Sequence, residues 1–147
     1  MSAAPSAPYV AEPPAIYLAR PALVVDCSVV SAALFDEAAR DQAALILAGK
    51  TLHAPDLINA EFVSVALKKS KLGWTADSIA LAVQDFALHD IALHATEAAP
   101  LLELAQRYKL SAYDAAYLWL AADLKSPLAT FDAKLAAAAK VHLASLT

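Results

Sequence analysis

The sequence predicts an α/β fold, in which a short, mostly parallel sheet of four to five strands is flanked by helices. After Pro21, short apolar runs alternate with amphipathic stretches, a pattern typical of parallel strands joined by helical crossovers. The length of 147 residues is sufficient for one domain with a substantial core, but not for two. We therefore expect a single domain with one active site.

Each predicted strand is a short apolar segment bounded by turn residues or by a helical pattern. The four strands are expected at residues 22–26, 51–54, 91–94 and 128–131. Residues 141–146 are expected to add an edge strand.

The predicted helices are the amphipathic stretches between these strands. They are expected at residues 28–35, 37–48, 55–72, 75–88, 97–108, 112–124 and 133–140. Gly49 follows the second helix, where glycine is favoured just past a helix end. Pro55 and Asp56 mark the start of the third helix, and Thr75 supplies an N-terminal cap for the fourth.

Residues 1–21 are expected to form a flexible arm ahead of a domain that covers residues 22–147. This segment contains five prolines and lacks a basic start, so it does not have the pattern of a signal peptide. The alternatives are a disordered tail and an arm that packs through Tyr9, Ile16 and Tyr17. Cys27 is the single cysteine, which excludes an intramolecular disulfide and favours a cytoplasmic location.

The composition is unusually apolar and mildly acidic. Hydrophobic residues make up 60% of the chain, and the mean hydropathy is +0.51. No apolar run approaches the ~18 residues of a membrane span, so part of this surplus is expected at an interface. The net charge of −4 argues against a large basic surface for nucleic acid. It does not exclude a metal-assisted nuclease, because a bound cation reverses the local sign of an acidic pocket.

Four acidic residues lie in segments that otherwise have the pattern of buried elements: Asp26, Glu61, Asp114 and Asp132. A buried carboxylate is costly without a partner. Asp26 and Asp132 end the first and fourth predicted strands, and the carboxyl ends of parallel strands form the active sites of open α/β sheets. If the four side chains converge, their natural partner is a hard divalent cation such as Mg²⁺ or Mn²⁺.

Each acid also has a structural alternative. Asp26 and Asp132 are suited to cap the helices that follow them. Asp114 has capping-box spacing from Ser111, although Asp123 lies about 180° around the same helix, so that Asp114 faces the protein if Asp123 faces solvent. Glu61 falls within an apolar helical stripe and is the hardest of the four to explain as a solvent-facing residue.

Three further features have less specific interpretations. Lys68, Lys69 and Lys71 with Trp74 form either a solvated helix end or a basic and aromatic patch for single-stranded RNA. Cys27 is expected to be a small core residue. The histidines lack the spacing of a zinc site.

At the four acids the chain resembles the PIN-domain ribonucleases, and within them the VapC-type toxins of bacterial toxin and antitoxin pairs. The resemblance covers residues 23–146 and rests on the order of four segments: VVDCSVV, NAEFVSVAL, LSAYDAAYLWLA and LATFDAKLAAAA. It implies a three-layer PIN-like domain and an endoribonuclease dependent on Mg²⁺ or Mn²⁺. The implied catalytic and metal-binding residues are Asp26, Glu61, Asp114 and Asp132, with Ser28 and Thr130 in supporting positions.

The resemblance also implies an RNA substrate, a cognate VapB-like antitoxin and a homodimer. Two alternatives are kept open. One is a PIN-like interaction protein with weak or no nuclease activity, which the apolar surplus favours. The other is a haloacid-type phosphatase, although that pattern requires a second Asp where this chain has Ser28.

Overall fold

A parallel four-stranded sheet is the frame of the domain, in a computed structural model that describes residues 8–9, 11, 20–35 and 38–146. The strands are β1 (Ala22–Val25), β2 (Thr51–Pro55), β3 (Ala92–His94) and β4 (Leu128–Ala129). Their order is β3-β2-β1-β4, and every pairing is parallel. The predicted α/β class and the parallel sheet are confirmed.

Seven helices lie within the described residues. They are α1 (Cys27–Phe35), α2 (Arg40–Leu47), α3 (Ile58–Lys71), α4 (Ala76–Leu88), α5 (Ala98–Tyr108), α6 (Ala112–Leu124) and α7 (Ala133–Ala144). Thr75 caps α4 by accepting from the backbone N–H of Ser78 at 3.1 Å, as predicted. Gly49 follows α2 with a φ of +70°, which glycine adopts without strain.

The core is centred on β1 and α6. Val24 and Val25 are fully buried, as expected for a parallel strand covered on both faces. α6 is apolar around most of its circumference and contacts β1, β2 and β4. α1, α3 and α4 contact one another, and Phe62 of α3 stacks between Phe35 and Phe86. The whole arrangement is the three-layer architecture that the sequence implied.

The position of β1 determines where the site forms. β1 pairs with β2 on one side and β4 on the other, so the strand order reverses at β1. The last ladder bond between β1 and β4 runs from the backbone N–H of Asp26 to the carbonyl of Ala129, at 3.0 Å. Side chains that follow these two strands therefore meet at the same edge of the sheet.

Two expectations for the last part of the chain are wrong. The predicted edge strand at residues 141–146 is absent from the described structure, because α7 continues to Ala144. Leu135 and Ala139 are buried and Leu143 packs against the core, so a stripe with a four-residue period extends the helix. β4 is also shorter than predicted and ends at Ala129, since Thr130 leaves the ladder for side-chain bonds.

The predicted arm at residues 1–21 lies largely outside the described residues, and so do Ile16 and Tyr17. Of the three side chains named for packing, only Tyr9 is described, and it is 98% exposed. Within the described ranges, no helix is both long and apolar enough to cross a membrane.

Candidate active site

One open cleft of about 530 Å³ brings together all four predicted acids. Its lining comes from the end of β1, the start of α1, one face of α3, the first turn of α6 and the loop before α7. The lining residues are Asp26, Cys27, Ser28, Ser31, Leu57, Ala60, Glu61, Ser64, Val65, Lys68, Tyr113, Asp114 and Asp132. Residues that lie up to 106 positions apart in the chain thus share one solvent-accessible space.

Asp26 lies at the base of the cleft, directly after β1. It is 6% exposed, and its Oδ2 accepts hydrogen bonds from the hydroxyls of Ser28 (2.9 Å) and Thr130 (2.7 Å). Oδ1 has no hydrogen-bond partner within the described residues. Two donors on one oxygen fix the orientation of the carboxyl group and leave the other oxygen available to a ligand.

The same two hydroxyls also hold the loop that follows β4. Ser28 Oγ accepts from the backbone N–H of Phe131, and Thr130 Oγ1 accepts from that of Asp132, both at 3.0 Å. Each hydroxyl therefore joins the end of β1 to the loop that carries Asp132. Ser28 and Thr130 thus each bond both the carboxylate of Asp26 and the backbone of this loop.

Asp132 caps α7 and lines the cleft at the same time. Its Oδ1 accepts from the backbone N–H of Leu135 at 2.8 Å, which is the capping alternative considered from the sequence. The expectation that Asp132 ends a strand is wrong, because β4 stops at Ala129. The side chain is exposed and its Oδ2 has no hydrogen-bond partner among the described residues.

Glu61 has a partner that the sequence analysis did not identify. The hydroxyl of Tyr117 donates to Glu61 Oε1 at 2.6 Å, a short charge-assisted bond between α6 and α3. Burial raises the pKa of Glu61; the bond from Tyr117 acts in the opposite direction, and the charges of Asp26 and Asp114 raise it further. A buried tyrosine usually finds a hydrogen-bond partner for its hydroxyl, but the sequence does not indicate which residue supplies it.

Asp114 is the second carboxyl with a perturbed proton affinity. Burial raises its pKa, and the nearby charges of Asp26 and Asp132 add to the effect, whereas Ser111 and Lys134 lower it. Ser111 accepts from the backbone N–H of Asp114 at 3.1 Å, so it is the N-cap that the capping-box spacing indicated for α6. Asp123 is exposed and Asp114 is half-buried, which agrees with their placement on opposite sides of the helix.

The donor set fits a hard divalent cation in kind. Its carboxylates are the ligands that Mg²⁺ and Mn²⁺ prefer. Neighbouring carboxylates raise the pKa values of Glu61 and Asp114, and a bound cation would reduce this repulsion. Across the described ranges, no three His, Cys, Asp or Glu side chains are grouped closely enough to hold an ion as they stand. To bind an ion, the carboxylates would have to move closer together or share the ion with waters.

Cys27 and the histidines stay outside this chemistry. Cys27 is buried beside the acids, and burial raises the pKa of its thiol to about 11, so it is a neutral thiol at physiological pH. His53 and His94 bond each other at 2.9 Å on β2 and β3, and His142 bonds Tyr108. Neither pair lines the cleft.

Comparison with known proteins agrees with this geometry. Residues 23–141 match the PIN domain family. A similar solved structure is described as the crystal structure of PAE2754 from Pyrobaculum aerophilum. It aligns with a TM-score of 0.61 at 23% identity, over 86% of this chain and 90% of that one, a likeness in fold. No curated protein gave a significant match. The chain belongs to the PIN-domain family, whose members are generally metal-dependent nucleases.

Proposed function

We propose that the protein is an endoribonuclease of the VapC toxin type that hydrolyses RNA phosphodiester bonds with the help of Mg²⁺ or Mn²⁺. The observation that carries the proposal is the convergence of Asp26, Glu61, Asp114 and Asp132 on one open cleft in a PIN-domain chain. A cation held there would supply the positive charge that stabilises an attacked phosphate and lowers the pKa of a water.

The residues divide into distinct roles in this proposal. Asp26 and Asp132 are the direct ligands, since they follow the adjacent strands β1 and β4 at the same edge of the sheet. Asp114 binds the ion directly or through water. Glu61 either completes the ligand set or orients the attacking water, and its raised pKa suits a group that exchanges protons.

Ser28 and Thr130 are positioning residues in this proposal. Their hydroxyls hold Asp26 Oδ2 and the loop that carries Asp132, so they set the spacing between the two proposed direct ligands. Tyr117 does the same for Glu61. Such fixed partners keep ligands in place before a metal arrives, and outer-shell groups of this kind commonly affect metal affinity by 10- to 100-fold.

The proposal includes an antitoxin and a second copy of the chain as partners. Its support is a set of exposed apolar side chains on α3, directly after it and on α4, namely Val63, Leu67, Leu72, Leu81, Val83 and Leu88. The second candidate is an interaction protein that binds partners through these side chains and has weak or no nuclease activity. Sedimentation analysis that finds only monomer, with no complex with the product of the neighbouring gene, would contradict both partners.

The nuclease is tested by incubating the wild type and Asp26→Asn with total RNA and Mg²⁺ or Mn²⁺, then mapping the new 5′ ends. The proposal expects discrete sites with 5′-phosphate ends in the wild-type reaction, and none with the variant or with EDTA. Cleavage by Asp26→Asn in EDTA would refute it. Release of phosphate from small phosphomonoesters without RNA cleavage would instead support the phosphatase alternative.

A further inference from the structure

Lys68 is the one basic residue that lines the acidic cleft in the part of the chain that the structure describes. It is exposed and forms no ion pair with a described residue. Lys68 follows Glu61 by seven residues on α3, so the two side chains share a helix face and lie about 10 Å apart along the axis. The positive charge of Lys68 therefore lies beside the carboxylates but separate from them. A phosphate next to the scissile one in a bound strand could reach it there.

The other lysines of this helix end are arranged differently. Lys69 Nζ lies 5.6 Å from the ring centroid of Trp74 and 6.0 Å from that of Phe35, so its charge is engaged with aromatic faces. Lys71 does not line the cleft. The favourable position of cations at a helix C-terminus accounts for all three lysines, but it does not account for one of them lining the cleft.

Tyr113 provides an exposed aromatic ring in the same cleft. It precedes Asp114 in the first turn of α6 and is 61% exposed, and its hydroxyl has no hydrogen-bond partner among the described residues. Tyr117, one turn later, is fully buried and bonded to Glu61. An exposed aromatic ring beside the carboxylates offers a face on which an unpaired base can stack.

We propose that Lys68 and Tyr113 form a subsite for single-stranded RNA beside the carboxylates. Lys68 binds a phosphate that flanks the scissile one, and Tyr113 stacks on an unpaired base. The inference rests on the proposed nuclease function and assigns two residues to binding the strand next to the cleaved bond. Duplex RNA is excluded as the preferred ligand, because its bases are already stacked and offer no free face.

The test is direct binding of a fluorescein-labelled single-stranded RNA, measured by anisotropy in EDTA at several salt concentrations. All proteins carry Asp26→Asn, which reduces the repulsion between the acidic cleft and the RNA phosphates and is expected to prevent cleavage. Lys68→Gln should weaken binding and reduce the slope of log affinity against log salt by about 0.7, the value for one phosphate contact on a single strand. Tyr113→Ala should weaken binding about 5- to 100-fold, and Tyr113→Phe should bind like the parent.

Two matched controls separate a subsite from general effects. Lys71→Gln removes the same charge from the same helix end outside the cleft lining, and it should leave the salt slope unchanged. Leu102→Ala truncates a side chain that is 60% exposed on α5, and it should leave the affinity unchanged. Circular dichroism establishes that each variant is folded.

The outcomes distinguish this inference from the proposed function. If the wild type cleaves RNA, but Lys68→Gln and Tyr113→Ala bind like their controls, the subsite is refuted and the nuclease stands. Equal affinity for a labelled duplex would also refute the subsite. If the wild type neither cleaves nor binds RNA, both proposals are refuted.

Discussion

The Thr130 hydroxyl donates a 2.7 Å hydrogen bond to Asp26 Oδ2 across 104 residues of sequence, while it accepts the backbone N–H of Asp132. One side chain thus connects the acid that follows β1 with the acid that precedes α7. This connection converts the neighbouring positions of β1 and β4 into a defined spacing between two carboxylates. It makes Thr130 a test of whether the site is organised before any ligand binds.

Thr130→Val should lower the free energy of unfolding and weaken RNA cleavage. Valine has nearly the same shape as threonine but cannot donate to the Asp26 carboxyl group. Hydrogen bonds of this kind contribute about 1.5–3 kcal/mol to the free energy of unfolding. We expect a decrease in Tm of roughly 3–12 °C. Thr130→Ser keeps the hydroxyl and should retain most of both properties. If the valine variant is as stable and active as the serine variant, this bond does not organise the site.

Tyr117→Phe should destabilise the protein at neutral pH by about 1–3 kcal/mol, because Glu61 then loses its donor. The Tyr117 bond lowers the pKa of Glu61, so the variant should also raise that pKa further, which can be followed by NMR titration of the carboxyl group. The double variant Tyr117→Phe, Glu61→Gln should show less than the additive loss.

Tyr108→Phe is the control for Tyr117→Phe, since Tyr108 bonds His142 at 2.9 Å away from the cleft. It should leave the pKa of Glu61 unchanged. An unchanged Glu61 pKa in Tyr117→Phe would show that the two groups do not interact in solution.

Asp114→Asn should raise the Tm of the metal-free protein at pH 7. Burial and the charges of Asp26 and Asp132 raise the pKa of Asp114, so folding binds its proton more tightly. Such a group destabilises the fold above its folded pKa and has no such effect below its unfolded pKa of about 4. The gain from Asp114→Asn should therefore shrink as the pH falls from 7 toward 4.

Asp123→Asn, an exposed change on the same helix, is the control and should show no such pH-dependent gain. Thermal unfolding in EDTA at a series of pH values makes the comparison. A loss of stability in Asp114→Asn at pH 7 would contradict the electrostatic strain assigned to this residue.

The alternation of elements and most of their bounds were predictable, because the hydrophobic periods of strand and helix differ and Gly49, Thr75 and Ser111 mark helix ends. Residues 141–146 were wrongly predicted as a strand. Val141 and the apolar residues after it alternate locally, but the core contact of Leu143 continues the helical stripe of α7. Tertiary packing determines the helical conformation of this segment, and the local sequence pattern carries no information about that packing.

The four acids were predictable as individual residues that disagree with apolar surroundings, but their partners were not. The bond between Tyr117 and Glu61 joins residues 56 positions apart, and no local pattern predicts it. Lys68 could be recognised only as one of three lysines, because which of them faces the cleft depends on how α3 packs. Long-range pairing of this kind needs the tertiary fold.

Mg²⁺ or Mn²⁺ should raise the Tm of the wild type. A ligand that binds only the folded state contributes about 2.7 kcal/mol at 100 times its Kd. Asp26→Asn should lose most of this shift, and Asp123→Asn should retain it. Differential scanning fluorimetry in Ca²⁺-free buffer with increasing Mn²⁺ measures the change in Tm. Equal shifts in the wild type and Asp26→Asn would show that the ion binds elsewhere.

The most direct measurement is cleavage of a defined single-stranded RNA by purified wild type, Asp26→Asn and Asp123→Asn, with Mn²⁺ and with EDTA. We predict that the wild type and Asp123→Asn cleave the RNA with Mn²⁺ but not with EDTA. Asp26→Asn should lose about 100-fold in activity, the upper end of the loss on removing a group that supports a metal ligand. Activity in EDTA, or equal activity of Asp26→Asn and Asp123→Asn, would contradict a metal site built on these carboxylates.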